Sequence, residues 1–203
     1  MIAHPARALD AKAFATVEEM LGQAVAASKQ SKSKPRAFSG TKTNGTKSPD
    51  TVRSVQRMTI PSDRDAHWAT EEYLRWLPRG LKGIIRIQKT DDGDVIFRVF
   101  KRGPILLKLS PRLHRSEPSR QVLRVTGGIL AKDTVRGRLE FRQVLDGSTL
   151  IAAIHEFEPA LPWWIYRFTQ APFHRWVMNR FARHLATQSR SEALTDAMGA
   201  QHA

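Results

Sequence analysis

The sequence predicts an α+β domain: a curved antiparallel β-sheet of about seven strands wrapped around a long C-terminal helix. Three observations carry that expectation. A short helical pattern follows the first strand-like run. The hydrophobic period then changes from about four to two, and stays there from Gly83 to Phe157. The chain closes on an apolar stripe, with Phe173, Trp176, Val177, Phe181 and Leu185 at three- and four-residue steps. Consecutive strands joined by short turns pair antiparallel. A strongly bent sheet has one face that water must not reach, and the final helix covers it.

Each element follows in order. Residues 52 to 60 alternate loosely and suit a strand, which Pro61 stops. Ser62 or Asp63 can cap a helix that carries Ala66, Ala69, Tyr73 and Leu77 on one side, with Trp68 and Trp76 near its edges. Pro78 and Gly80 end it. Gly83 to Lys89 and Val95 to Lys101 read as strands joined by the tight turn Asp91-Asp92-Gly93-Asp94. Ile105 to Leu113 follows, with Pro111 suggesting an edge or a bulge. In Arg120 to Ala131 the pair Gly127-Gly128 allows strong coiling or close approach of another backbone. Arg136 to Leu145, the turn Asp146-Gly147 and Ser148 to Phe157 form a second hairpin.

Outside this block the composition changes. Leu9, Ala13, Val17, Leu21 and Val25 recur every four residues, so residues 1 to 28 hold a possible short amphipathic helix. Residues 29 to 51 are polar and basic. Lys29, Lys32, Lys34, Arg36, Lys42 and Lys47 oppose only Asp50, and the segment reads as a disordered linker. The domain proper spans 52 to 188, and 189 to 203 read as a flexible tail.

The 203 residues carry a formal charge of +14, from 33 Lys plus Arg against 19 Asp plus Glu. That balance favours acidic partners. With no Cys there is no disulfide framework, no Cys-based zinc site and no thiol nucleophile. No apolar run approaches a membrane span of roughly 18 residues. Asp10, Lys12, Glu18 and Glu19 argue against a secretory or mitochondrial leader, so a cytoplasmic protein is expected, with possible attachment to a membrane surface.

The run Ser54-Val55-Gln56-Arg57-Met58-Thr59-Ile60-Pro61-Ser62-Asp63-Arg64-Asp65-Ala66-His67-Trp68 is followed by Tyr73-Leu74-Arg75-Trp76-Leu77-Pro78. Arg136 to Arg142 and Asp146 to Leu150 form the last hairpin. Together these segments resemble the START-like helix-grip superfamily (SRPBCC), which includes polyketide cyclases, coenzyme Q-binding proteins and lipid-transfer domains. The resemblance covers about two-thirds of the chain. It implies the helix-grip fold and a cavity between sheet and helix that takes a hydrophobic or amphipathic small molecule. No cofactor and no metal are expected.

The candidate lining residues are Phe97, Val99, Leu107, Leu109, Leu123, Val125, Leu139, Phe141, Phe157, Trp176, Val177 and Phe181. Periodicity alone does not separate a packed interior from a hollow one, and the same side chains equally suit a solid core. His155 is the candidate polar contact, because strict alternation puts Ala153, His155 and Phe157 on one face. It equally suits a partly exposed position with no role. Arg124 and Glu140 are weaker candidates, since Leu123, Val125, Leu139 and Phe141 take the inward positions.

Catalysis has little support. No Gly-x-Ser-x-Gly, His-Glu-x-x-His or phosphate loop appears. A cyclase or dehydratase using the same cavity is the enzymatic alternative. Trp163, Trp164, Tyr166, Arg167 and Arg175 form an aromatic and cationic stretch suited to an anionic membrane surface. Trp164 suits helix-to-sheet packing equally well. The basic linker fits a solubilising tether, a membrane attractor or a contact to RNA or the ribosome.

Overall fold

The computed structural model describes residues 52–61, 63–145, 147–160 and 171–200, together with Glu19, Gly22 and Ala26, which are helical. The rest of the expected helix over 1 to 28, the linker, and the aromatic stretch at 163 to 167 lie outside the described residues.

Seven strands form one antiparallel sheet: β1 Val52–Thr59, β2 Ile85–Lys89, β3 Val95–Val99, β4 Ile105–Pro111, β5 Arg120–Gly127, β6 Arg138–Val144 and β7 Thr149–Phe157. Their spatial order is β1-β7-β6-β5-β4-β3-β2. Helix α1, Ala66–Gly80, follows β1, and helix α2, Ala171–Ala200, closes the chain. A 3₁₀ turn, Leu113–Arg115, joins β4 to β5. Only β1 and β7 pair across a long connection. Every other neighbouring pair is consecutive in sequence, as short turns require.

The cap of α1 is Asp65, three residues after Ser62 and two after Asp63. Its Oδ1 accepts from the Trp68 backbone N–H at 2.7 Å, a contact worth about 1 kcal/mol. Pro78 lies inside the last turn instead of ending the helix. Trp76 belongs to the core and not to an edge. The first hairpin turns at Gly93, where φ is +80°, and the Thr90 N–H donates to the Asp94 carbonyl at 2.9 Å. At Gly128 a Cβ would collide with the Leu106 carbonyl, so this position serves the close backbone approach expected of the glycine pair. Helix α2 continues through 189–200, where composition predicts a frayed tail.

The sheet has one apolar and one polar face. Leu123 pairs with Leu139 and Val125 with Leu109, and all four belong to the buried core. Arg120, Val122 and Arg124 alternate with them on the other face, opposite Arg142, Glu140 and Arg138. Both helices pack on the apolar face. The Glu72 carboxylate of α1, 5% exposed, lies 2.8 Å from His184 Nε2 of α2, and the Trp76 ring stacks on that imidazole.

Candidate functional site

The site begins with a packing difference between the two ends of the core. At one end Tyr73, Trp76 and Phe181 interlock, with ring centroids of Tyr73 and Trp76 5.1 and 5.3 Å from Phe181. Tyr73 also meets Phe141 at 5.6 Å. At the other end the sheet and α2 enclose a cavity of about 710 Å³. That volume lies within the range of about 300–1,000 Å³ usual for small-molecule sites.

Its sheet wall is Phe97, Leu107, Leu109, Val125 and Leu139, with Ile154 and Phe157 from β7. Tyr73, Leu77, Leu81 and Ile85 line it from α1 and the turn into β2. Phe173, His174, Val177 and Ala182 line it from α2. The exposed lining residues are Arg53, Val55, Arg57, Arg175 and Asn179, and all belong to β1 or α2. The opening therefore lies between the edge strand and the final helix. No Asp or Glu lines the cavity among the described residues.

Seven of the residues expected at the cavity do line it: Phe97, Leu107, Leu109, Val125, Leu139, Phe157 and Val177. Val99, Leu123, Phe141 and Phe181 are buried in the filled core instead. Trp176 is half-buried and stacks on Phe173 at 5.9 Å. Of the residues expected at a membrane surface, Arg175 is exposed at the mouth. Trp163, Trp164, Tyr166 and Arg167 lie outside the described residues.

His155 is not at the cavity, and the reason is a β-bulge. Glu156 has φ +48°, and β7 uses three steps from Ile154 to Phe157 where β1 uses two from Ser54 to Val52. The extra residue breaks the alternation. Ile154 and Phe157 therefore both reach the cavity, while His155 turns to the polar face. There its Nε2 is 3.8 Å from Glu140, a carboxylate 6% exposed. Arg120 donates to Glu140 through Nε at 2.8 Å and Nη2 at 3.3 Å, and Arg138 lies 3.6 Å away. Burial opposes the charge on Glu140, but the Arg120 hydrogen bonds and the surrounding cations hold its carboxyl below the usual range. Burial and the Arg138 charge push the His155 imidazole down.

Besides Ser54, Gln56 and Arg138, the polar residues that line the cavity without being exposed are Tyr73 and His174, and none of these was selected from the sequence. Neither Tyr73 nor His174 has a hydrogen-bond partner among the described residues. Removal from water raises the Tyr73 phenol and lowers the His174 imidazole to about 4, so both are neutral at pH 7. Tyr73 sits on the α1 stripe and His174 next to Phe173 at the start of the α2 stripe. Those stripes were the available signal. The described residues contain no cluster of His, Asp or Glu able to hold a metal ion.

No family model matches the chain. Over 134 residues it is 23% identical to the auxiliary protein GraX of Staphylococcus aureus (strain NCTC 8325 / PS 47), covering 65% of this chain and 43% of that protein. The chain thus spans less than half the length of the curated relative it matches. Among solved structures it is similar to an aromatase/cyclase of Streptomyces sp. R1128, at 12% identity and a TM-score of 0.47, over 66% of this chain and 92% of the other. It is also similar to the major latex-like protein 151 of Panax ginseng, at 14% identity and a TM-score of 0.43, over 66% and 97% of the two chains. Strand order, register and the place of α2 make the architecture an α+β helix-grip fold.

Proposed function

We propose that the chain binds a hydrophobic or amphipathic small molecule, of lipid, quinone or polyketide-like kind, in the cavity between sheet and α2. The observation that carries this reading is the apolar hollow of about 710 Å³ open between β1 and α2. Each methylene buried there gains about 0.8 kcal/mol. Tyr73 and His174, with Ser54 and Gln56 of β1, supply the few polar contacts that orient such a ligand. The uncharged state of Tyr73 and His174 suits hydroxyl or carbonyl groups. Docking on an anionic membrane, with Arg175 at the mouth, is the means of loading that belongs to this reading.

The test is mass spectrometry of the organic extract of purified protein after incubation with total cellular lipid. A specific hydrophobic molecule is expected from the natural sequence and none from Ala182→Trp, which fills the hollow. Recovery of nothing above background, or equal recovery from both proteins, overturns the reading. Release of chemically different molecules from the natural protein and His174→Gln would favour a cyclase or dehydratase in the same cavity.

A further inference from the structure

The polar face of the sheet is unusual in its register. Arginine stands directly opposite arginine three times: Arg120 with Arg142, Arg124 with Arg138, and Arg86 with Arg98. Like charges so opposed destabilise a sheet. In the four adjoining strands β1, β7, β6 and β5 every Lys or Arg is an arginine: Arg53, Arg57, Arg120, Arg124, Arg138 and Arg142. The same strands hold two carboxylates, Glu140 and Glu156.

Those carboxylates do not neutralise the face. Glu140 ties down Arg120 and Arg138, Glu156 lies 3.7 Å from Arg53, and Asp133 beyond β5 holds Arg124 at 3.1 Å. Arg57 and Arg142 are exposed and have no hydrogen-bond or ion-pair partner among the described residues. Both are registered with Ile151 of the strand between them. They therefore share one cross-strand row, about 10 Å apart at two strand spacings.

We propose that this outward face of the sheet, whose β1 edge at Arg57 borders the cavity mouth, binds the phosphodiester backbone of a nucleic acid, with Arg57 and Arg142 as its free phosphate contacts. Guanidinium forks match phosphate oxygens in a way that ammonium groups do not, and these strands contain no lysine. The outward positions carry no Phe, Tyr or Trp, so bases find no stacking platform and recognition is independent of sequence. Val55 is the one exposed large hydrophobic residue among those described in these strands, too little to insert into a bilayer.

The test is fluorescence anisotropy of the full chain with a labelled mixed-sequence single-stranded RNA, across a salt series. Arg57→Gln/Arg142→Gln should weaken binding at least tenfold. It should also lower the slope of log affinity against log salt by about 1.4, two single-strand phosphate contacts. Lys101→Gln/Arg102→Gln removes the same charge from the exposed turn after β3 and should change affinity less than threefold. Equal losses in the two double variants would reduce the effect to net charge and overturn the proposal. So would an unchanged RNA affinity, or a loss seen only with phosphatidylglycerol vesicles. Matching melting temperatures establish that all three proteins are folded.

Discussion

The two ends of the core use similar residues to opposite effect. At one end Tyr73, Trp76, Phe141 and Phe181 meet ring to ring, with Tyr73 forming the boundary with the hollow. At the other, Phe97, Leu107, Val125 and Leu139 surround an open volume. Atoms lining a void lose the dispersion contacts that close packing supplies. A hollow end is therefore tenable only while the filled end fixes α1, α2 and the sheet against one another. The Glu72–His184 contact and the Asp65 cap serve that same fixation.

Breaking the filled end should give the largest effect. Phe181→Ala, at a fully buried position touching both aromatic neighbours, should cost about 3–5 kcal/mol in denaturant unfolding. A loss below 1 kcal/mol would show that the two ends do not differ in packing.

A smaller effect should come from acid acting on the hollow end. His174 has its folded pKa lowered from 6.5 to about 4 by burial, so the unfolded chain takes up a proton first. Its stabilising contribution is full above pH 6.5 and is lost progressively as pH falls toward 4. Glu140, also lowered, adds its loss beneath the ordinary carboxylate range. Melting temperatures from pH 7 to 4 should fall, and His174→Gln should flatten that fall. An unchanged slope in the variant would place the titration elsewhere.

The smallest effect should come from adding volume to the hollow. Leu107→Phe should shift unfolding free energy by less than about 1.5 kcal/mol, since its wall has room where a packed core has none. Destabilisation above 3 kcal/mol would mean that this end is as tight as the other.

Much of the architecture was legible before any coordinates. The turns at Asp91–Asp94 and after Leu145, and the glycines at 127 and 128, mark the strands chemically. Alternation assigned Leu123, Val125, Leu139 and Phe141 to the inner face. It did not separate Leu139, at the cavity, from Phe141, in the filled core, because burial pattern is identical for a wall and a plug. Nor did it find His174 or Tyr73, since a helical stripe reports a face and not the space beyond it. The error at His155 has a different origin. The left-handed residue is a glutamate, which carries none of the conformational signal a glycine would give.

That glutamate acts as a phase shift in the strand's code of odd and even. Before it, even numbers on β7 belong to the oily side; after it, odd ones do. Deleting that one residue would make the two strands step equally and leave the Phe157 ring on the oily side, two places after Ile154; keeping the residue but straightening its backbone would bring its carboxylate inward in place of the ring.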